Sequence, residues 1–327
     1  MKRIAILLIS FLLCTLPACN RGHRGAKEYA YVSVPQAILR DQVAAVFNKV
    51  GVVKNGERVE VIDKDRRFMK VRTDANAEGW IEQRYLVPQQ VFDKLQTLAQ
   101  ENQNTPVEGT GTTRNDTNIH VEPGRDTDHL YLISSGSKVS LLKRATAEKN
   151  LPGTAQAKSD QEPAKPLEDW WLVRDAQGHV GWVLGRMIDL DVPLDIAQYA
   201  EGQRIVAFFV LDQVSDGDKK VPQYLVLTNE NKDGMPYDFN AIRVFTWNVR
   251  KHRYETAYRE HDLNGVLPAT VTQENFDKEG MLPVFVIRVK DDSGNTLERK
   301  YKLNTPIVRR VLAPGEEPPK PARKKRR

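Results

Sequence analysis

The chain has 327 residues, a length that suggests two or three domains, and its 40% apolar content is ordinary for globular material. Its 49 lysines and arginines exceed its 43 aspartates and glutamates, but the excess is terminal: Lys2 and Arg3 open the chain, and the stretch from Ala313 to Arg327 carries most of the rest. The body between is near neutral, which removes the charge argument for nucleic-acid binding.

Behind Lys2-Arg3 an apolar run extends from Ile4 to Leu13, and Leu16-Pro17-Ala18-Cys19 follows. This is the layout of a secretory signal peptide. The run is about half of the ~20 residues a spanning helix needs. The small-residue site before the cysteine resembles the lipobox of bacterial lipoproteins. The resemblance implies that Cys19 is acylated and becomes the first residue, with palmitate-type chains holding the protein to a membrane. Asn20 in place of Asp after that cysteine favours the outer membrane, facing the periplasm. Cys14 as the lipid site and a non-lipidated secreted form are the alternatives; Leu13 argues against the first. With Cys14 removed and Cys19 acylated, no thiol is left for a nucleophile, a disulfide or a metal.

After a linker over 20–28, an internal repeat organises the chain. Phe68-Met69-Lys70-Val71-Arg72 aligns with Trp170-Trp171-Leu172-Val173-Arg174, and Gly79-Trp80-Ile81 aligns with Gly181-Trp182-Val183. Val71, Arg72, Gly79, Trp80 and Arg84 are identical in the two copies. Each copy reads as short strands separated by polar turns, the mark of a small barrel. The order Gly-x-x-Val-x-Val, Trp-x-x-Val-Arg, Gly-Trp-Val resembles the bacterial SH3 domain family. The resemblance implies two such barrels in tandem, over 29–88 and 118–192. Trp80, Trp171 and Trp182 are expected to anchor the barrels, with Gly79 and Gly181 allowing close backbone approach. Trp170 points away from Trp171 in a strand. With Arg174 and Arg72 it is the candidate ligand contact.

Between the barrels, 89–117 is expected to hold a short amphipathic helix, with Val91, Leu95 and Leu98 at helical spacing, then a polar linker. The second copy carries an Ala/Lys/Gln/Pro-rich insert over 143–169, expected to be disordered. Residues 193–312 read as a β-rich domain, an antiparallel sandwich or open barrel entered by a short helix. Its strand signals are Ile205 to Val210, Tyr224 to Leu227, Ile242 to Trp247, Leu282 to Val289 and Leu297 to Leu303. The tail over 313–327 is Pro-rich and basic, expected to be disordered. Its Arg323, Lys324, Lys325, Arg326 and Arg327 are a candidate contact for anionic surfaces. The fold class is therefore mainly β, with short connecting helices.

No nucleophile elbow, zinc motif or phosphate loop occurs. The nearest approach to a hydrolytic set is Glu255, Glu260, His261 and Asp262 with His252 upstream, and strand periodicity separates Glu260 from His261. The expectation is a binding protein and not an enzyme, without cofactor or metal. The SH3 resemblance implies peptidoglycan peptides or an envelope protein as partner, with avidity from two weak modules. An envelope hydrolase in 193–312 and a structural scaffold are the other readings.

Overall fold

A computed structural model describes residues 27–149 and 166–312. Cys19 with the export segment, residues 150–165 of the insert, and the basic tail lie outside the described residues.

The first unit is a seven-stranded antiparallel barrel of β1 (Glu28–Val32), β2 (Gln36–Arg40), β3 (Lys49–Lys54), β4 (Arg58–Asp65), β5 (Phe68–Thr73), β6 (Glu78–Glu82) and β7 (Leu86–Pro88). Its strand order is β3-β2-β6-β5-β4-β1-β7. Helix α1 (Gln89–Glu101) follows. The second unit comprises β8 (Gly109–Thr113), β9 (Thr117–His120), β10 (His129–Ile133), β11 (Lys138–Glu148), β12 (Leu167–Arg174), β13 (Val180–Leu184) and β14 (Ile188–Leu190). Its order, β10-β9-β13-β12-β11-β8-β14, repeats the first unit strand for strand.

Alternation decides which side chains fill each barrel. In β6, Gly79 and Ile81 face inward, and Ile81 joins Val32, Leu39, Val53, Val59 and Val71 in the core. Trp80, between them, must face outward. Trp182 is placed likewise between Gly181 and Val183. The expected role of these two tryptophans as core anchors is therefore corrected: both are half-buried on the outer face. Trp171 does face inward and packs against the second core. A methyl group on Gly181 would collide with Ile119 and sit 2.7 Å from the His120 carbonyl, so β9 and β13 cross only because this residue is glycine.

Two sequence expectations differ from the structure. The polar linker contains β8, which pairs with β11 and β14. Its Gly-Thr-Gly-Thr-Thr sequence has no apolar alternation to betray a strand. The insert is largely outside the described residues, but both of its ends are strand: β11 runs to Glu148 opposite Leu167 at the start of β12.

The third unit follows a one-turn helix, α2 (Leu194–Ala197). Strands β15 (Arg204–Asp216), β16 (Lys219–Asn229), β17 (Ala241–Asn248) and β18 (Arg253–Glu260) form one meander. Strands β19 (Gly265–Phe276), β20 (Gly280–Lys290), β21 (Thr296–Asn304) and β22 (Ile307–Val311) form another. Both are antiparallel, four-stranded and in sequential order. Leu225, Leu227, Ile242 and Val244 of the first meander share a core with Phe285, Ile287, Tyr301 and Leu303 of the second. This is a β-sandwich.

The second unit is fastened on both sides. Towards the first, Tyr31 stacks on Phe92 of α1 at 4.3 Å. The Asn55 side chain donates to the Leu130 carbonyl (2.8 Å) and accepts from the Leu132 amide (2.9 Å), acting as an extra strand residue beside β10. Towards the third unit, the long β11–β12 hairpin carries an ion network. Asp169 accepts from Arg144 (2.6 Å), Arg204 (2.7 Å) and the Gly234 amide (2.9 Å). Arg144 also reaches Asp238 (3.2 Å) and the Tyr237 carbonyl (3.0 Å). Nearby, Glu108 is buried beside the Ala269 amide. Burial, with Asp238 adding to it, pushes its carboxyl up to about 7.

Candidate functional site

The outward face of the first barrel gathers aromatic and charged side chains. Arg40 ends β2 and faces out, opposite Trp80 by register. The following loop folds back because Asp41 accepts from both the amide and the side chain of Asn48, each at 2.8 Å. Those bonds hold the Asp41 carboxyl below its usual range. The loop lays Phe47 on the Arg40 guanidinium at 4.2 Å, and Phe68 of β5 lies 5.2 Å away on another side. Glu82 takes a hydrogen bond from Arg40 at 3.3 Å and an ion pair from Arg84 at 2.8 Å. The result is a cation in contact with two rings, with a half-buried tryptophan beside it. Such a surface offers π faces, an apolar rim and paired charges to a peptide.

The second barrel closes the same place. His120 replaces Arg40, Thr127 replaces Phe47 and Trp170 replaces Phe68. The loop reaches across with Arg125, which donates to Glu168 through Nε at 2.7 Å and holds that carboxyl below its usual range. Trp170 is only 2% exposed, and its Nε1 has no hydrogen-bond partner among the described residues. Its edge meets His120 at 5.2 Å. Burial, then the neighbouring His129, lowers His120 to about 4, so it is neutral at pH 7.

This corrects the expectation for Trp170. It does face away from Trp171, but that side is covered, so it is no ligand platform. Arg174 is also committed: it donates to the Asn102 and Gln103 carbonyls at the end of α1, at 2.7 and 3.2 Å. Arg72 lies on the open face of the first barrel, tied to Glu78 at 2.7 Å and Glu60 at 3.3 Å. Those partners raise its guanidinium further and hold Glu78 below its usual range. Among the described residues the second barrel's counterpart of this face is covered, which leaves the avidity expected from two equivalent faces without support there. Sequence reasoning missed Arg40, Phe47 and Phe68. Phe68 was legible as the counterpart of Trp170; Phe47, in a loop, carried no signal.

The hydrolytic candidates do not converge. Glu260 accepts from Tyr258 (2.8 Å), Tyr301 (2.7 Å) and Arg299 (2.7 Å), which makes it a structural pin between the two meanders. His252 pairs with Asp216 at 2.6 Å, and Glu255 with Lys251 at 2.9 Å. His261 lines a separate cavity of about 160 Å³ beside Arg243 and Arg259. Among the described residues no group of three or more His, Cys, Asp or Glu is arranged to hold a metal.

Three solved structures are similar to the chain in part. A NlpC/P60 family protein from Bacillus cereus ATCC 10987 is 15% identical, with 57% of this chain covering 65% of that one at a TM-score of 0.23. NlpC2 and NlpC1 from Trichomonas vaginalis are each 9% identical over 72% of this chain, covering 97% and 88% of theirs, both at 0.18. These matches overturn the expectation that the chain is not an enzyme, which is dropped. At TM-scores of this size they assign no activity in its place. No curated protein matches the chain. Residues 36–87, the segment that carries Arg40, Phe47, Phe68 and Trp80, match the bacterial SH3 domain family, so the first barrel is a bacterial SH3 domain.

Proposed function

We propose that this is a lipid-anchored envelope protein that holds cell-wall peptide on its first barrel. The observation that carries the reading is the bacterial SH3 match at residues 36–87 falling on the outward aromatic and cationic cluster of Arg40, Phe47 and Phe68. A wall peptide has carboxylates for Arg40 and apolar methyls for the rings. The second barrel, with the same strand order, is read as a second SH3 domain that serves as a spacer. Acylation at Cys19 fixes the chain to the outer membrane. The cluster Arg323 to Arg327 adds a contact to anionic surfaces worth up to ~1 kcal/mol per basic residue.

The test is co-sedimentation of the chain from Asn20 to Arg327 with purified wall sacculi. Binding is expected, and the Phe47→Ala/Phe68→Ala double variant is expected to lose most of it, about tenfold or more in Kd. No sedimentation above a soluble control, or equal sedimentation of the double variant, overturns the reading.

A further inference from the structure

The first meander has two faces, and the one turned away from the sandwich core is roofed by the chain that leads into it. Ile242 and Val244 of β17 face the core. The alternate residues Ala241, Arg243 and Phe245 face the other way, opposite Thr228, Val226 and Tyr224 of β16. Over them lies the segment of α2. Ile196 is fully buried against Tyr224, Val226 and Phe245, and the Tyr199 ring meets Phe245 at 5.3 Å.

The roof does not close on the sheet. Between them is a cavity of about 160 Å³ with apolar walls from Ile196, Ala200, Val226, Ala241 and Phe245. Thr228, the buried hydroxyl in its lining, is already satisfied by the Gln203 side chain at 2.8 Å. A dry chamber of about this size, roughly 150 Å³, holds one benzene ring. Glu201, Arg259 and His261 are the exposed residues of the lining and mark its mouth.

The mouth carries more positive charge than the chain neutralises. Arg243 and Arg259 are direct cross-strand partners, and like charges so placed destabilise a sheet. Among the described residues one carboxylate meets them: Glu201 pairs with Arg243 at 2.8 Å and with Arg259 at 3.1 Å, and it is the one acid of the lining. Glu260, next in sequence to Arg259, is turned to Arg299 and Tyr301 and supplies nothing here. Arg243 spends further donors on the Thr256 hydroxyl (2.8 Å) and the Tyr199 carbonyl (3.1 Å). Arg259 uses only Nη2, towards Glu201, and its Nε and Nη1 donate to none of the described residues. Two guanidiniums against one carboxylate leave one positive charge, beside His261, at the entrance of an apolar chamber. The group that completes both is a single carboxylate on a compact apolar body.

We propose that this cavity binds a small organic carboxylate whose branched aliphatic or single-ring body fills the chamber under Tyr199 and whose carboxylate is held by Arg259 beside Glu201. A free acid and the C-terminal residue of a peptide share this chemistry. The site lies wholly on the sandwich, so the inference does not depend on wall binding by the first barrel.

The test is calorimetric titration of the chain from Asn20 to Arg327 with isocaproate, isocaproamide and acetate, and with the peptide Gly-Gly-Leu ending in a carboxylate or in an amide. Saturable binding of isocaproate, of the free-carboxylate peptide or of both is expected, and which of them binds more tightly tells the source. The two amides and acetate are expected not to bind. Arg259→Gln removes the cation, and Ala200→Leu fills the chamber from the roof. Each should weaken binding about tenfold or more. Arg259 is exposed and Ala200 half-buried, so both variants should fold, with melting curves like the parent's. No saturable binding of either carboxylate by about 10 mM overturns the proposal. So does binding that either variant leaves unchanged. Equal binding of acetate would reduce the site to a surface cation pair, and equal binding of the amides to an apolar hole; each overturns it as well.

Discussion

Replacing Asp169 with alanine should cost the protein about 2–4 kcal/mol. The carboxylate side chain is 5% exposed and accepts from Arg144, Arg204 and the Gly234 amide. Removing one partner of a buried pair typically costs about 3–5 kcal/mol, because the other charge is left uncompensated. Two features here reduce that figure. Arg204 is 32% exposed and can rehydrate. Arg144, though 5% exposed, keeps Asp238 at 3.2 Å and the Tyr237 carbonyl at 3.0 Å. What is lost outright is one short charge-assisted bond to Arg144 and the partner of a partly buried amide. Asp233 provides the comparison: it pairs with the same Arg204 at 2.8 Å but is 43% exposed. Asp233→Ala should therefore cost no more than about 0.5 kcal/mol. Urea unfolding at pH 7, followed by tryptophan fluorescence and by circular dichroism, reads both variants. Because Asp169 ties the second barrel to the sandwich, the Asp169→Ala transition should also broaden or split between the two probes. A loss under about 1 kcal/mol, or equal losses in the two variants, would refute the argument that burial sets the value of this network.

Glu108 should make stability fall as pH rises. Its folded value is pushed up to about 7 by burial, above the ordinary carboxyl value of about 4.3. The folded state therefore binds more protons between those limits, and stability is present below the lower limit and lost through the upper one. Glu108→Gln should accordingly raise the melting temperature relative to the parent at pH 8 and give no such gain at pH 4; parallel melting curves across that range would remove the assignment. Arg125→Ala should open the groove of the second barrel, since Arg125 is the clasp that reaches from the loop to Glu168. The expected result is a red shift and stronger iodide quenching of tryptophan emission as Trp170 meets water. An unchanged spectrum would mean that the clasp is not what buries it.

The barrels were legible because the identical residues of the repeat are those whose geometry admits few replacements. Gly181 cannot take a Cβ against the His120 carbonyl, and one on its counterpart Gly79 would sit 2.7 Å from Val50 and 2.8 Å from Leu39. The tryptophans misled because their size suggests core, whereas in a strand the side is set by alternation. The neighbouring Gly79 and Ile81 claim the interior and send Trp80 out. Strand β8 was invisible for a related reason. It is a strand of threonines and glycines held by ladder bonds to β11 and β14, with little apolar area to announce it. Trp170 was read correctly for direction and wrongly for exposure. Direction is a property of one strand, while exposure depends on contacts such as that with His120, far away in sequence and made only when the barrel is folded.

Duplication of one barrel has produced two different relations to solvent from the same outward face. In the second copy that face is taken up by the chain itself: Leu98 and Ala99 pack on Leu142, Leu172 and Val180, Arg174 is held by the carbonyls just past α1, and Trp170 is buried with its ring against His120. A face occupied intramolecularly meets its occupant at an effective concentration that a free ligand reaches only with difficulty. The second barrel is therefore poorly placed to bind, and well placed to hold the first barrel and the sandwich at fixed separation. On the proposed function, recognition falls to the first barrel, where the same positions carry Phe68, Trp80 and Arg72, all partly exposed. The functional asymmetry of the repeat lies less in its strands, which match in order throughout, than in the loop and helix that cover one copy and leave the other open.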